Sequence, residues 1–282
     1  MSDEKLAVST WAVRQSFKNP NVGFEGIVNF LTENRIKYAE LNTFFIKNPP
    51  EHAPLLTRAI TWHFGGLPMN QIIETLNSNS IKPIVLTIDA TNMFQKDQRG
   101  RDRQIQYVRA WIDRARDVGI RTLRVDVGFL LNSPPVEILL SRLLATFKSI
   151  LTYCEDADVI VLFENHFGPT ASPSFFQSIA KEIDSPNFGI LLDCGNFKPR
   201  SEIYDHIFTL KDLIKHVHIK TFNFNDQGQE SGLDYERILG DLLKTGYNGF
   251  YTIEFEGKVK RRGDDFVGTK KSIDLARKYI SW

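Results

Sequence analysis

The chain has 282 residues, of which 42% are hydrophobic and 24% are charged, and its net charge at pH 7 is +1. This composition allows a sizeable core and is unlike that of disordered proteins, while the small net charge gives no bulk electrostatic reason to bind nucleic acid or an anionic membrane. Two cysteines, Cys154 and Cys194, are too few for a disulfide framework and favour a reducing compartment.

The first residues, 1–5, include two acidic side chains, and no long apolar run of the kind found in signal peptides follows them. No segment approaches the 18 consecutive apolar residues typical of a membrane helix. We therefore expect a cytoplasmic protein that forms one domain over residues 1–282. Its partner would be a small-molecule sugar or polyol, with no nucleic acid and no membrane, and the sequence is compatible with a homo-oligomer.

Short apolar runs alternate with amphipathic stretches along the whole chain, which predicts strands alternating with helices. Eight such units favour a parallel sheet closed into a single (β/α)8 TIM barrel of class α/β over an open doubly wound sheet, whose usual glycine-rich turn after the first strand is absent. Strands are predicted at 6–10, 38–41, 83–88, 122–125, 159–163, 188–192, 214–219 and 249–253, and helices at 25–34, 69–79, 97–118, 136–155, 174–183, 202–212, 234–244 and 264–280.

One segment interrupts this regular pattern, and one pair of prolines marks the start of a helix. Residues 42–68 contain Asn-Pro-Pro and Gly-Gly breakers and are predicted to be a long irregular segment, with His63 and Trp62 in a candidate lid over the barrel. The prolines at 134 and 135 predict the start of the helix over 136–155.

Polar side chains lie at the ends of four successive predicted strands. Glu164, Asp193, His218 and Glu254 follow one another at intervals of 29, 25 and 36 residues, each about one strand–helix unit. His216 shares a face with His218, but His218 lies nearer the carboxyl end of its strand. Since the carboxyl ends of barrel strands meet at one face, the four side chains would converge above the barrel mouth.

Three carboxylates that meet at one point repel one another unless a cation lies among them. Three oxygen ligands and one imidazole nitrogen suit a divalent ion, with Mn²⁺ favoured and Zn²⁺, Mg²⁺ or Co²⁺ as alternatives. Taken singly, a carboxylate at a strand end more often caps a helix, and a lone histidine more often packs or faces solvent. The convergence of all four favours the metal site.

Four segments carry a resemblance to a known family. Residues 163–166, 192–196, 217–220 and 252–254 have the sequences Phe-Glu-Asn-His, Leu-Asp-Cys-Gly-Asn, Val-His-Ile-Lys and Thr-Ile-Glu. They resemble the sugar phosphate isomerase/epimerase superfamily, xylose isomerase-like TIM barrels that include tagatose/psicose 3-epimerases, inosose dehydratases and isomerases, hydroxypyruvate isomerases and endonuclease IV. The resemblance covers nearly the whole chain. It implies that one divalent metal is bound by Glu164, Asp193, His218 and Glu254, and that the two glutamates are the catalytic acid/base pair.

Two departures from the family pattern bear on function. Many members carry a histidine three residues after the sixth-strand aspartate, where this chain has Asn196, which cannot transfer a proton. Endonuclease IV needs further histidines after strands two and three and in the loop after strand seven. Those places hold Glu40 and Asn42, Asp89, and the histidine-free loop 223–232. An endonuclease IV-like nuclease is therefore disfavoured.

Further residues near the strand ends are candidates for substrate binding. His166 would contact a substrate hydroxyl or a group next to the metal ligands, with simple packing in its loop as the alternative. Lys220 would pair with a substrate oxyanion or with the neighbouring carboxylates. Glu40 would more readily orient other groups inside the barrel mouth, and Arg14 would line the pocket beside the first strand. The predicted substrate-binding residues are His166, Lys220, Asn196, Trp11 and Glu40.

The remaining charged groups have structural interpretations. Asp89 and Asp126 are expected to cap helices or to pair with Arg124 or Lys96. The basic segment 258–262 follows strand eight, where barrels frequently bind phosphate, but a solvated loop is the favoured interpretation.

These features predict a divalent-metal-dependent isomerase or epimerase that acts on a ketose, inosose or related sugar by proton transfer through an enediolate. If an adjacent hydroxyl leaves instead, the same residues would make a dehydratase of a polyol or keto-sugar. A non-catalytic barrel that kept the metal-binding layout is a third alternative, but it would not need two carboxylates flanking a substrate.

Overall fold

The protein is a closed barrel of eight parallel strands in the order β1 to β8, with β8 paired to β1. The computed structural model describes residues 4–128, 136–166, 168–183, 185–197, 199–258 and 264–280. The predicted TIM barrel is therefore confirmed. Its strands are β1 Leu6–Ser9, β2 Tyr38–Asn42, β3 Lys82–Ile88, β4 Thr122–Val125, β5 Ile160–Glu164, β6 Phe188–Asp193, β7 Ile214–Thr221 and β8 Phe250–Phe255.

Helices connect the strands on the outside of the barrel. Short 3-10 helices at Thr10–Val13, Thr43–Phe45, Gly168–Ala171 and Arg200–Glu202 supplement them. Within the described ranges, no helix is both long and apolar enough to cross a membrane. The α-helices are α1 Arg14–Lys18, α2 Gly23–Glu33, α3 Leu55–Phe64, α4 Met69–Ser78, α5 Gln98–Asp117, α6 Val136–Ala157, α7 Pro173–Glu182, α8 Ile203–Leu210, α9 Tyr235–Lys244 and α10 Asp264–Tyr279.

The predicted irregular segment 42–68 is wrong in one respect, because it contains the three-turn helix α3. Pro54 precedes this helix, and Gly65 ends it in the left-handed conformation with φ 68°, which are ordinary helix boundaries. The helix was not recognised from the sequence because its buried residues are threonines and not large apolar residues. The predicted helix start at residues 134 and 135, and residues 259–262 of the basic segment, lie outside the described residues.

Alternation along the strands orients the functional side chains. Phe163 of β5 faces outward and packs against Phe147 of α6 and Phe188 of β6, with ring centroids 4.1 and 5.5 Å apart. Since successive side chains of a strand point to opposite faces, the next residue, Glu164, points towards the barrel axis. The aromatic layer between strands and helices thus fixes the direction of an inward carboxylate.

The strand register brings further polar residues side by side. Asp193 at the end of β6 lies opposite His218 of β7, and Lys220 of β7 lies opposite Glu254 of β8. The pairing of β2 with β3 shifts register at Glu40, an irregularity that re-aims side chains. The barrel mouth is therefore lined by charged groups from neighbouring strands.

Two helical glycines give a matched test of packing around β8. A Cβ at Gly268 of α10 would overlap the ring of Phe255, whereas a Cβ at Gly240 of α9 would meet no atom within 4 Å. We expect Gly268→Ala to lower the free energy of unfolding by about 1–3 kcal/mol through overpacking. Gly240→Ala should raise it by about 0.5–1 kcal/mol, because alanine is the better helix former. Urea unfolding measures both, and equal effects would contradict this packing.

Candidate metal and active centre at the barrel mouth

The four strand-end residues of the predicted metal set lie together at the barrel mouth. Glu164, Asp193, His218 and Glu254 are all buried, and one ligand atom from each lies within 4.8 Å of the others. Nδ1 of His218 is 3.8 Å from Oε1 of Glu164, 3.7 Å from Oδ2 of Asp193 and 3.6 Å from Oε2 of Glu254. Three carboxylate oxygens from three strands therefore surround one imidazole nitrogen.

Nδ1 of His218 lacks a hydrogen-bond partner in the described parts of the chain. Two of the carboxylate oxygens that face it, Oδ2 of Asp193 and Oε2 of Glu254, are instead paired with the ammonium of Lys220, at 3.0 and 2.9 Å. Buried polar atoms are hydrogen-bonded in the large majority of cases, so this nitrogen among three carboxylates requires an explanation. A divalent cation accounts for it, because carboxylate oxygens and an imidazole nitrogen are its usual ligands. The residues present thus fit a metal ion.

Glu40 orients His218 from below. Its Oε2 lies 2.8 Å from Nε2 of His218, and its Oε1 accepts hydrogen bonds from Thr87 at 2.9 Å and Ser9 at 3.4 Å. With Nε2 donating to Glu40, Nδ1 faces the three carboxylates, which is the carboxylate–histidine arrangement common beside bound metals. Glu40 is completely buried and does not line the cavity. Glu40 therefore lies in contact with His218 and outside the lining of the cavity.

Mutual charge shifts the pKa values in this centre. Burial alone would lower the pKa of His218, but the charges of Glu40 and Glu254 outweigh burial and hold it well above its usual range. Burial alone would raise the pKa of Glu254, but Lys220 and His218 hold it well below its usual range. The pKa of Glu40 is lowered because His218 outweighs its burial. Glu40 and Glu254 are therefore ionised at neutral pH.

Lys220 is a buried cation inside the same cluster. Its Nζ lies 3.0 Å from Oδ2 of Asp193 and 2.9 Å from Oε2 of Glu254, and it donates to Oδ1 of Asn196 at 3.0 Å. The absence of a side chain at Gly195 makes room for its stem, since a Cβ there would lie 2.9 Å from Cγ of Lys220. Lys220 was predicted to pair with a substrate oxyanion or with the neighbouring carboxylates, and the structure shows the pairs with the carboxylates.

Arg124 is the second buried cation, and its position was not predicted. Its guanidinium contacts Oε2 of Glu164 and lies 3.1 Å from Oδ1 of Asp126, so the predicted pairing of Asp126 with Arg124 is confirmed. His166 Nδ1 also lies 3.1 Å from Asp126 Oδ1. Arg124 is the one charged residue of strand β4. Because an unpaired charge in a buried strand is very costly, this arginine was the sequence signal for a buried ion pair.

Asn196 connects the two halves of the centre. Its Nδ2 donates to Oε1 of Glu164 at 3.2 Å, while its Oδ1 accepts from Lys220. The ammonium of Lys220 therefore fixes the orientation of an amide at the place where many family members carry a histidine.

A cavity of about 320 Å³ opens above this centre. His166, Lys220 and Trp11 line it as predicted for substrate-binding residues, and Trp11 also donates from Nε1 to Glu256 at 2.7 Å. Asn196 does not line the cavity. A separate cavity of about 410 Å³ lies beside α9 and α10, and none of the barrel-mouth residues lines it. The 320 Å³ cavity is lined by Trp11, Asn42, Phe44, Leu56, Ile60, Asp89, Ala90, Arg124, Asp126, His166, Lys220, Glu254 and Glu256.

Asp89, at the edge of this cavity, caps the short helix after β2. Its carboxylate accepts hydrogen bonds from the backbone N–H of Phe44 at 3.0 Å, the hydroxyl of Thr43 at 3.2 Å and the amide of Asn42 at 3.2 Å. Burial raises the pKa of Asp89 to about 7, although the charge of Arg124 lowers it. The predicted role of Asp89 as the cap of the helix that follows its strand is wrong, because Asp97 is the N-cap of α5 and Asp89 instead binds the segment after β2.

The model of one protein family, described as the xylose isomerase-like TIM barrel, matches residues 43–279. The chain belongs to this family. An uncharacterized protein of Methanocaldococcus jannaschii, MJ1311, is 26% identical over 176 residues, which are 58% of this chain and 60% of that relative. The chain thus matches less than two thirds of the length of this relative.

Solved structures show the same fold at low sequence identity. A D-allulose 3-epimerase from Methylomonas sp., in complex with D-allulose, has a TM-score of 0.76 and 14% identity over 98% of this chain and 97% of that one. A 3-keto-D-glucoside 4-epimerase from E. coli, in its apo form, has a TM-score of 0.72 and 12% identity over 98% of this chain and 100% of that one. The whole barrel is therefore shared with both epimerases.

Replacing Lys220 tests its place in the cluster. In protein treated with EDTA, Lys220→Met should lower the free energy of unfolding by about 3–5 kcal/mol, because it leaves buried carboxylates without their cation. Lys244→Met removes an exposed lysine that lies 2.7 Å from the buried Asp241 and should cost less than about 1 kcal/mol, because Arg237 remains 3.5 Å from that carboxylate. Urea unfolding compares the two variants, and a loss at Lys220 no larger than that at Lys244 would contradict the assignment.

Asp89 predicts a specific pH dependence of stability. Its pKa is about 7 in the folded protein and ordinarily 3.8, so the folded state keeps the proton over an interval in which the unfolded state loses it. The stability of the wild type should therefore fall relative to that of Asp89→Asn as pH rises from about 4 to 7, by up to about 4 kcal/mol, and level off above pH 7. Urea unfolding at several pH values measures this, and a difference that does not vary with pH would refute the raised pKa.

Proposed function

We propose that the protein is a divalent-metal-dependent isomerase or epimerase of keto-sugars, with Glu164 and Glu254 as its acid/base pair. The observation that carries this proposal is the meeting of two buried glutamates from β5 and β8 with Asp193 and His218, beside the barrel-mouth cavity that Glu254 lines. Two carboxylates held in one small centre can remove a proton and return it, which a binding protein would not require.

Asp193, His218 and the two glutamates would hold the metal ion, since one ligand atom from each lies within 4.8 Å of the others. When bound, a divalent ion supplies Lewis-acid chemistry, which polarises a substrate carbonyl and acidifies the neighbouring C–H. Mn²⁺ is the favoured ion, because the set mixes hard carboxylate oxygens with one imidazole nitrogen.

The chain's own groups would carry the proton. Glu254 lines the cavity and is ionised beside Lys220, and the ionised form is the one that would accept a proton from the carbon next to a carbonyl. Glu164 lies behind Arg124, which balances its charge, and would return the proton to the opposite face or to the neighbouring carbon. The fixed ammonium of Lys220 would stabilise the negative charge that develops on the substrate as an enediolate.

The activities named for two similar structures support the same chemistry. They are a D-allulose 3-epimerase and a 3-keto-D-glucoside 4-epimerase, and in both cases the epimerised carbon lies next to a carbonyl. In this chain the positions of the additional endonuclease IV histidines are held by Glu40, Asn42 and Asp89, which hydrogen-bond to neighbouring residues. The keto-sugar proposal therefore accounts for more of the site than a nuclease would.

Exchange of the substrate α-proton with solvent tests the proposal. The Mn²⁺-supplemented protein is incubated in D2O with D-fructose, D-allulose, D-tagatose and scyllo-inosose, and loss of the α-proton signal is followed by ¹H NMR. We expect exchange with at least one sugar, reduced roughly 10²–10⁴-fold in Glu164→Gln and Glu254→Gln because each removes one positioned proton carrier.

Glu256→Gln is the matched control, since Glu256 lines the cavity but is not among the four clustered ligands. It should keep the exchange rate within about tenfold of wild type. Wild-type protein that exchanges none of the four sugars, or glutamine variants that exchange as fast as wild type, would contradict the assignment of the acid/base pair. A product that has lost water would instead identify a dehydratase.

A further inference from the structure

The barrel has a second opening, at the amino ends of its strands. A cavity of about 210 Å³ lies there, among residues at or near the starts of β3, β4, β5, β7 and β8. No residue in the described parts of the chain lines both this amino-end cavity and the barrel-mouth cavity. His216 lines the amino-end cavity, but its Nε2 already lies 2.7 Å from the hydroxyl of Thr252. The amino-end cavity is therefore a different surface from the one at the barrel mouth.

The inner wall of the amino-end cavity is apolar. Val85, Ile160 and Phe250 line it. Ile160 and Phe250 lie four residues before Glu164 and Glu254 on the same strands, so their side chains point to the same inner face of the barrel. This wall offers contact area to an apolar group, and its three side chains offer no hydrogen bonds.

The charged residues of the amino-end cavity are all basic. Lys82, Arg121 and Lys215 line it, and no carboxylate of the described chain does. Arg121 donates to the carbonyl of Arg116 at 3.4 Å and Lys215 donates to the carbonyl of Pro186, but neither carbonyl carries a net charge. A cavity lined by charges of one sign concentrates counter-ions of the opposite sign. The three cations therefore favour an anion at this opening.

The fold places one of these cations inside the end of the barrel. The pairing of β6 with β7 shifts register at this point, so that Lys215 is an extra residue of β7. A Cβ at Gly189 of β6 would lie 2.6 Å from Cδ of Lys215, so the lysine stem occupies the space that the glycine leaves. Gly189 lies four residues before Asp193, on the inner face of the barrel.

The position of Lys215 is unfavourable for a charge that has no counter-ion. Burial lowers the pKa of its ammonium, and no carboxylate in the described residues lies within ion-pair distance to raise it. An ammonium has three donors, and the carbonyl of Pro186 takes one of them. The other donors of Lys215 are therefore available to a bound anion.

We propose that Lys82, Arg121 and Lys215 bind the phosphate group of a small organic phosphate, whose apolar part lies against the inner wall of the amino-end cavity. This ligand is not the substrate of the proposed isomerase, and the site does not depend on the metal centre. Guanidinium and ammonium groups are the side chains that bind phosphate, and a guanidinium binds it with two parallel hydrogen bonds.

Charge and shape decide the class of anion. A phosphate monoester carries between about 1.5 and 2 negative charges at pH 7, whereas a carboxylate carries one, so the monoester offsets more of the charge of three cations. Inorganic phosphate has no apolar part and would leave Val85, Ile160 and Phe250 without contact. An organic phosphate matches both the basic rim and the apolar wall.

Three anions test these two requirements. Phenyl phosphate, inorganic phosphate and benzoate are titrated by isothermal calorimetry into the full-length protein, without added metal and at low ionic strength. We expect phenyl phosphate to bind at least about tenfold more tightly than inorganic phosphate, because its ring is buried against the wall. It should also bind at least about tenfold more tightly than benzoate, because it carries the larger charge. Added salt should weaken its binding through screening.

Substitutions assign the binding to this opening. Arg121→Gln and Lys215→Gln should each weaken the binding of phenyl phosphate by about tenfold or more, because each removes a charge-assisted hydrogen bond. Lys47→Gln is the matched control, since Lys47 is an exposed lysine that follows β2 at the other end of the barrel. It should change the affinity by less than about twofold. Circular dichroism confirms that each variant is folded.

The outcomes separate this site from the proposed function. The site is refuted if inorganic phosphate or benzoate binds as tightly as phenyl phosphate, or if folded Arg121→Gln and Lys215→Gln bind it as wild type does. A loss in Lys47→Gln as large as that in Lys215→Gln would show that binding follows overall charge, which also refutes the site. Exchange of the substrate α-proton tests the isomerase separately, so either proposal can fail while the other stands.

Discussion

The structure of the barrel mouth depends on one electrostatic constraint. Glu164, Asp193 and Glu254 are buried within a few ångströms of one another, with Glu40 directly below them. Removing several carboxylates from water is very costly unless cations lie among them. The contacts that His218 and Lys220 make in this region offset this negative charge.

The chain meets this constraint with fixed cations as well as with its proposed metal. Lys220 bridges Asp193 and Glu254, and Arg124 bridges Glu164 and Asp126. The ammonium of Lys220 lies beside Oδ2 of Asp193 and Oε2 of Glu254, the same oxygens that face His218, and Nδ1 of His218 keeps no hydrogen-bond partner in the described parts of the chain. The fixed charges thus offset part of the negative charge, and the proposed metal would offset more of it. The same ammonium and guanidinium face the cavity, where a polarised sugar would meet them.

Much of the fold and the convergence of the four ligands could be predicted from sequence, because both follow from local patterns. Buried parallel strands appear as apolar runs, and the carboxyl ends of barrel strands share one face. The positions of Glu164 and Asp193 at the barrel mouth could therefore be predicted without knowledge of side-chain contacts. The contact of Glu40 with His218 joins residues 178 positions apart and leaves no local signal. Helix α3 was missed for a related reason: its exposed leucines and buried threonines reverse the pattern by which surface helices are recognised.

Metal binding to the four-residue centre is the central claim, and calorimetric titration of Mn²⁺ into EDTA-treated, dialysed protein tests it most directly. We expect one equivalent to bind to wild type and to His52→Ala, which removes an exposed histidine, and none to bind to His218→Ala. Circular dichroism would show that the His218→Ala variant is still folded. A wild type that binds no divalent ion, or a folded His218→Ala variant that binds one as tightly as wild type, would contradict the account.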